Sequence, residues 1–154
     1  MIRTIATLLS AATIATPAFA ESHIAGDIEA GEKAFKKCAT CHVVIDDEGQ
    51  VLAGKKAKTG PNMYGIIGRQ AGTVEGFRYG KSIVAAGEAG LIWDLDNFAV
   101  YAQDPKAFLK EYLDDKSARS KMSYKVREEE DAVNIGAFLA SLGPEAEENA
   151  DATN

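Results

Sequence analysis

Cysteine and histidine are scarce in this chain, and each scarcity excludes something. There are two cysteines, Cys38 and Cys41, and two histidines, His23 and His42. A structural zinc site needs four ligands, as a rule with a second Cys or His pair, and no such pair exists. One disulfide is the most the chain could form, and the close spacing of the two thiols in a helical context disfavours it. A thioredoxin-like dithiol would sit beside a βαβ pattern, whereas the flanks here read as helix. Long hydrophobic runs are missing too. The apolar stretch Ile5–Ile14 is too short to span a bilayer. Positive charge is in deficit, with 17 Lys and Arg against 23 Asp and Glu and a net charge of −6. That balance argues against a nucleic-acid partner. No internal repeat and no convincing strand run are present.

The N-terminus has the layout of a secretory signal. Met1-Ile2-Arg3-Thr4 carries one positive charge and no acid, Ile5–Ile14 is apolar, and Pro17 precedes Ala18-Phe19-Ala20, an A-x-A cleavage pattern. Cleavage after Ala20 removes residues 1–20 and leaves residues 21–154. Only Arg3 is lost among charged groups, so the net charge moves from −6 to −7. The alternative is a retained anchor. A chain of this size makes one domain, in which a large apolar cofactor would form a substantial part of the core.

One pentapeptide organises the rest: Cys38-Ala39-Thr40-Cys41-His42. C-x-x-C-H is the attachment signal of c-type haem. Residues i and i+3 share a helix face, so two thiols can reach the two vinyl groups of one porphyrin. His42 then offers an imidazole nitrogen to the iron as proximal ligand.

The elements follow from local signals. Asp27 predicts the start of a helix to about Thr40, with Glu29 and Glu32 early and Lys33, Lys36 and Lys37 late, the order the helix dipole favours. Ile28, Phe35 and Cys38 fall on one face, and Gly31 leaves room for a close helix crossing. Val43–Lys58 reads as a polar loop or small hairpin turning at Asp47-Glu48-Gly49. Thr59–Arg69 is irregular and Gly-rich. Short helices are expected over 81–88, from Asp94 or Asp96 to about Gln103, and from Asp104-Pro105, as N-cap and N1, to about Leu113. Residues 114–125 are polar and irregular, with Met122 among them. Residues 127–142 form the clearest helix, acidic in its first turn, with Val133, Ile135, Phe138, Leu139 and Leu142 as its apolar face. Residues 144–154 read as an acidic disordered tail.

A haem iron with one histidine needs a second axial group or an open site, and three residues compete: His23, Met63 and Met122. His23 lies before any element that could hold it. Met63 follows Pro61 and could equally be an apolar contact. Met122 is an apolar residue in a polar loop, Lys121-Met122-Ser123-Tyr124. A thioether favours Fe(II) and raises the potential, and six-coordinate iron has no vacancy for oxygen or peroxide.

The chain resembles the class I c-type cytochromes, especially the soluble bacterial cytochrome c2 group related to mitochondrial cytochrome c. The motifs that carry the likeness run over residues 26–142: Gly26-Asp27-x-x-x-Gly31-x-x-x-Phe35, Cys-x-x-Cys-His, Thr59-Gly60-Pro61-Asn62, Gly68-Arg69, Gly76-Phe77-x-Tyr79, Trp93, Tyr101-x-x-x-Pro105 and Lys121-Met122-x-Tyr124. The resemblance implies an all-α class I cytochrome c fold over residues 21–143, with N- and C-terminal helices crossing and short helices and loops wrapping one covalent haem c on Cys38 and Cys41. It implies that the Pro61 carbonyl accepts from His42 and that Arg69, Tyr79 and Trp93 sit at the haem propionates. It also implies that Tyr101 and Ser120 are polar groups near the methionine side and that Met122 is the axial ligand. Met63 stands where the family usually has another apolar residue. Two stretches, 43–59 and 105–122, are longer than in the mitochondrial proteins.

Function follows from the same likeness: a monomeric periplasmic electron carrier, not an enzyme. A quinol-oxidising cytochrome complex would be the donor, and an oxidase, photosynthetic reaction centre or nitrogen-oxide reductase the acceptor. Lys37, Lys56, Lys58, Lys106, Lys121 and Lys125 lie beside haem-contacting segments and would dock an acidic partner. The competing readings are a haem enzyme or gas sensor with an open sixth position, and a haem-free interaction module.

Overall fold

A computed structural model describes residues 26–144; the signal segment, His23 and the acidic tail lie outside them. Five helices and one small hairpin appear in the order α1 (Ile28–Cys38), β1 (Val44–Ile45), β2 (Val51–Ala53), α2 (Lys81–Glu88), α3 (Leu95–Gln103), α4 (Pro105–Tyr112) and α5 (Glu129–Ser141). Among the described residues no helix is long and apolar enough to cross a membrane.

The first and last helices cross, and the crossing depends on an absent side chain. A Cβ on Gly31 would fall inside the backbone carbonyl of Asn134 and crowd the Cβ of Phe138. Without one, the two backbones touch and Phe35 meets Phe138 at 5.6 Å between ring centroids. Asp27 caps α1 through Ala30 N–H at 2.9 Å, while its own N–H donates to the buried Asn134 Oδ1 at 2.7 Å. One cap thus starts the helix and also ties it to α5.

Other caps place the short helices. Asp94 and Asn97 form a reciprocal capping box on α3. Asp104 ends α3 and starts α4, accepting from Ala107 N–H at 3.0 Å, with Pro105 at N1. Asp114, in the left-handed region that aspartate tolerates, turns the chain out of α4.

The structure amends several expectations. Ile28 is exposed, because it lies off the Gly31–Phe35 face through which α1 approaches α5. The hairpin 44–53 is a true two-stranded antiparallel sheet, too short to give the alternation a strand shows in sequence. Helix α5 is buried almost all round, from Ala132 through Ile135 to Leu139, rather than along one stripe. It packs on α1 and α3 at once.

Candidate functional site

The last turn of α1 delivers the pentapeptide. His42 N–H donates to Cys38 O at 2.9 Å, continuing the helical bonding just past Ala39. This tight turn sets both cysteines and the imidazole on the lining of one cavity of about 500 Å³. Burial and the neighbouring Cys41 push the Cys38 thiol up to about 11. A neutral sulfur is therefore the form this position favours, and a thioether keeps it neutral.

His42 is held from the other side by the segment 59–63. Gly60 N–H donates to Cys41 O at 2.7 Å, and the His42 Nδ1 lies 3.0 Å from the Pro61 carbonyl. A carbonyl can only accept, so Nδ1 carries the proton and Nε2 is left as the free donor atom. Burial lowers the His42 pKa, with the Pro61 bond opposing, which favours the neutral ring that a metal requires. The segment is itself clamped to the hairpin. Asn62 Oδ1 accepts from Ile45 N–H at 2.9 Å and its Nδ2 donates to Ile45 O at 2.7 Å. Gly60 is held close as well, for a Cβ there would overlap the His42 ring.

The rest of the lining comes from remote elements. Ile83 of α2, Phe98 and Tyr101 of α3, and Ile135 and Leu139 of α5 make it apolar. Trp93 is buried and meets Tyr101 at 4.9 Å between centroids. Met122 and Ser120 enter from an irregular segment. Ser120 Oγ accepts the Met122 N–H at 3.1 Å and hydrogen-bonds the Tyr101 phenol, whose pKa burial raises. Exposed Lys37, Lys58, Lys121 and Tyr124 also belong to the lining, so the cavity reaches the surface there.

Nine of the ten residues expected at the site line this cavity: Cys38, Cys41, His42, Pro61, Tyr79, Trp93, Tyr101, Ser120 and Met122. Arg69 does not. Its guanidinium donates to the carbonyls of Asn62 and Tyr64, bracing the segment after Pro61. Tyr79 is near enough for the Arg69 charge to offset part of the rise that burial gives its phenol. Met63 lines the cavity as well, deeply buried, with its N–H bonded to Val43 O at 2.8 Å. The lysines divide. Lys37, Lys58 and Lys121 are at the cavity, and Lys121 Nζ donates to Arg78 O at 2.8 Å. Lys56 and Lys106 are exposed away from its lining. Lys125 is ion-paired with Asp104 at 2.5 Å.

Ile83, Phe98, Ile135 and Leu139 were not anticipated as cofactor contacts. Helical spacing marks such residues as core, but nothing local says whether a core residue faces protein or cofactor. Gly60 stood inside a recognised motif, yet its steric reason is visible only beside the His42 ring.

An apolar cavity, with two sulfurs at one edge and a single oriented imidazole, suits a flat macrocycle tethered through both sulfurs. This arrangement defines a c-type cytochrome of class I. Comparison with known proteins agrees, although no family model matches the chain. Cytochrome c-551 of Roseobacter denitrificans is 55% identical over 142 residues, covering 92% of this chain and 96% of that protein. Cytochrome c2 of Rhodovulum adriaticum is 56% identical over 120 residues, 78% of this chain and 95% of that one. The solved structure of cytochrome c2 from Rhodobacter sphaeroides superposes with a TM-score of 0.75 at 52% identity, covering 76% and 96% of the two chains. The chain belongs to the cytochrome c2 family. It carries one haem c, covalently held through Cys38 and Cys41, and its function is haem-based electron transfer rather than enzymatic catalysis.

Proposed function

We propose that the mature chain begins near Glu21 and works in the periplasm, carrying one electron at a time on an iron held between His42 and Met122. The haem supplies a one-electron Fe(III)/Fe(II) couple. The residues do the rest. Cys38 and Cys41 fix where the macrocycle sits. The Pro61 carbonyl orients His42 and strengthens it as a donor through Nδ1–H. Ser120 and Tyr101 hold the backbone and surroundings of Met122. Buried apolar side chains keep water from the iron, which favours the less charged ferrous state. Tyr79 and Trp93, with Arg69 behind Tyr79, supply polar groups for the propionates.

The observation that carries this reading is that the oriented His42 and the thioether of Met122 line one cavity. Met63 shares the cavity but sits on the segment directly following Pro61, so its natural role is apolar contact beside His42. A quinol-oxidising membrane complex fits as donor. An oxidase, a reaction centre or a nitrogen-oxide reductase fits as acceptor, approached by the Lys37, Lys58 and Lys121 face.

The test is an optical spectrum of the ferric holoprotein with two variants. Met122→Ala should abolish the methionine–iron charge-transfer band and lower the potential, since a neutral soft ligand is lost. Met63→Leu, similar in volume, should leave both in place. The reverse pattern would transfer the ligand role to Met63, and a high-spin ferric wild type would favour an open-site enzyme or sensor. Intact mass should equal residues 21–154 plus one haem; a mass that retains residues 1–20 would favour a membrane anchor.

A further inference from the structure

The segment Arg119–Lys125 has no helix or strand of its own, so no internal ladder of hydrogen bonds holds it. It is fastened at each end by a side chain from elsewhere. At the start, Arg119 N–H donates to Ser82 Oγ of α2 at 3.0 Å, across 37 residues of sequence. At the end, Lys125 Nζ meets Asp104 Oδ2 at 2.5 Å, across 21 residues. Asp104 is well chosen for this. Its Oδ1 caps α4 at Ala107 N–H, so the carboxylate is already fixed when Lys125 reaches it. Further bonds run from Lys121 Nζ to Arg78 O, from Met122 N–H to Ser120 Oγ, between Ser120 and the Tyr101 phenol, and from Val126 N–H to Ala102 O.

We propose that Ser82 and Asp104 are positioning residues for Met122: they fasten both ends of the segment that carries it, and so set how often its thioether leaves the iron. The inference rests on Met122 being the axial ligand. It also gives Lys125 a different task from docking. A lysine already paired with a fixed carboxylate offers little net charge to a partner, whereas its removal frees the end of the loop.

The experiment measures imidazole binding to the ferric holoprotein. At saturating imidazole, the observed rate is limited by departure of the thioether. Ser82→Ala should raise that limiting rate about two- to tenfold, the worth of one hydrogen bond. Ser82→Thr, which keeps the hydroxyl, should restore the wild-type rate. Asp104→Asn keeps the α4 cap but loses the charge, and should raise the rate by up to about fivefold. Both variants should retain the methionine–iron band without imidazole, which separates faster opening from a misfolded site. Salt supplies a second arm. The wild-type rate should climb toward that of Asp104→Asn as ionic strength screens the pair, while the variant stays flat. Unchanged limiting rates with the band intact, or equal salt dependence in wild type and Asp104→Asn, would overturn the proposal. Persistence of the band in Met122→Ala would instead defeat the ligand assignment on which the proposal rests.

Discussion

The His42 wall and the Met122 wall of the cavity are built in different ways. His42 sits four residues past Cys38, the end of α1, bonded to it through the backbone and braced by Pro61 through one carbonyl. Its partners are backbone groups, and Gly60 lies so close that a Cβ there would overlap the ring. Met122 rides on irregular chain whose fastenings are mostly side chains from α2, α3 and α4. One wall is rigid because local covalent spacing dictates it. The other holds its place through several separately modest bonds. The difference teaches that, on the proposed His42/Met122 ligation, a tethered cofactor needs only one fixed ligand, and exchange with the outside would be confined to the second.

That contrast can be broken by two single-atom-scale changes. Gly60→Ala adds a methyl that overlaps the His42 imidazole, and should cost about 2 kcal/mol of holoprotein stability in guanidinium unfolding. Ser120→Ala removes a hydroxyl from the Met122 wall and should cost about 1 kcal/mol, because the loop can relax around it. Equal losses would mean that the two walls are equally stiff.

Charge at the cavity mouth gives a smaller effect. Lys58→Glu should slow bimolecular electron transfer to an acidic partner about threefold at low salt, with spectrum and potential unchanged. Lys125→Gln should leave that association rate nearly unaltered, since its charge is already met by Asp104. If the two substitutions slow association alike, Lys125 is a docking cation after all. A rate that rises with salt would instead place the partner on a surface of the opposite sign.

The smallest effect concerns acid. The hydrogen bond from Lys125 and that from Ala107 N–H hold the Asp104 carboxyl below its ordinary value. Its native pKa is depressed, so the stabilisation is present above the unfolded pKa and fades as pH falls through the native one. Asp104→Asn should therefore be the less stable protein at neutral pH and converge with wild type in acid. The check is unfolding free energy measured from about pH 7 down to about pH 2. A constant gap across that range would show that the ion pair carries no stability.

Legibility followed the same division. The attachment turn and the Gly31 crossing could be read because each depends on a spacing or on a residue type with one steric meaning, whereas the Pro61 contact came only from the family resemblance. Asp104-Pro105 announced both its helix and its cap. The Ser82–Arg119 bond could not be read, for serine in a short helix carries no sign of a partner 37 residues away. Nor could the pairing of Lys125, since lysines beside a haem-contacting segment look alike until their neighbours are known. Arg69 shows a third case: its motif was recognisable, but the carbonyls of Asn62 and Tyr64 that it braces are made available only by the local fold.

Asp104–Lys125 and the adjoining bond from Val126 N–H to Ala102 O have one more consequence. Asp104 and Lys125 meet at one spot, so the chain between them is a closed loop. That loop is anchored from within: Leu109 and Ala118 are buried in the core, and Met122 lines the cavity. Closing a longer loop costs little more than closing a short one, because the entropy grows only with the logarithm of its length. Residues in the exposed stretch 114–117 could therefore be added or removed at small entropic cost, provided Leu109, Ala118 and Met122 keep their places.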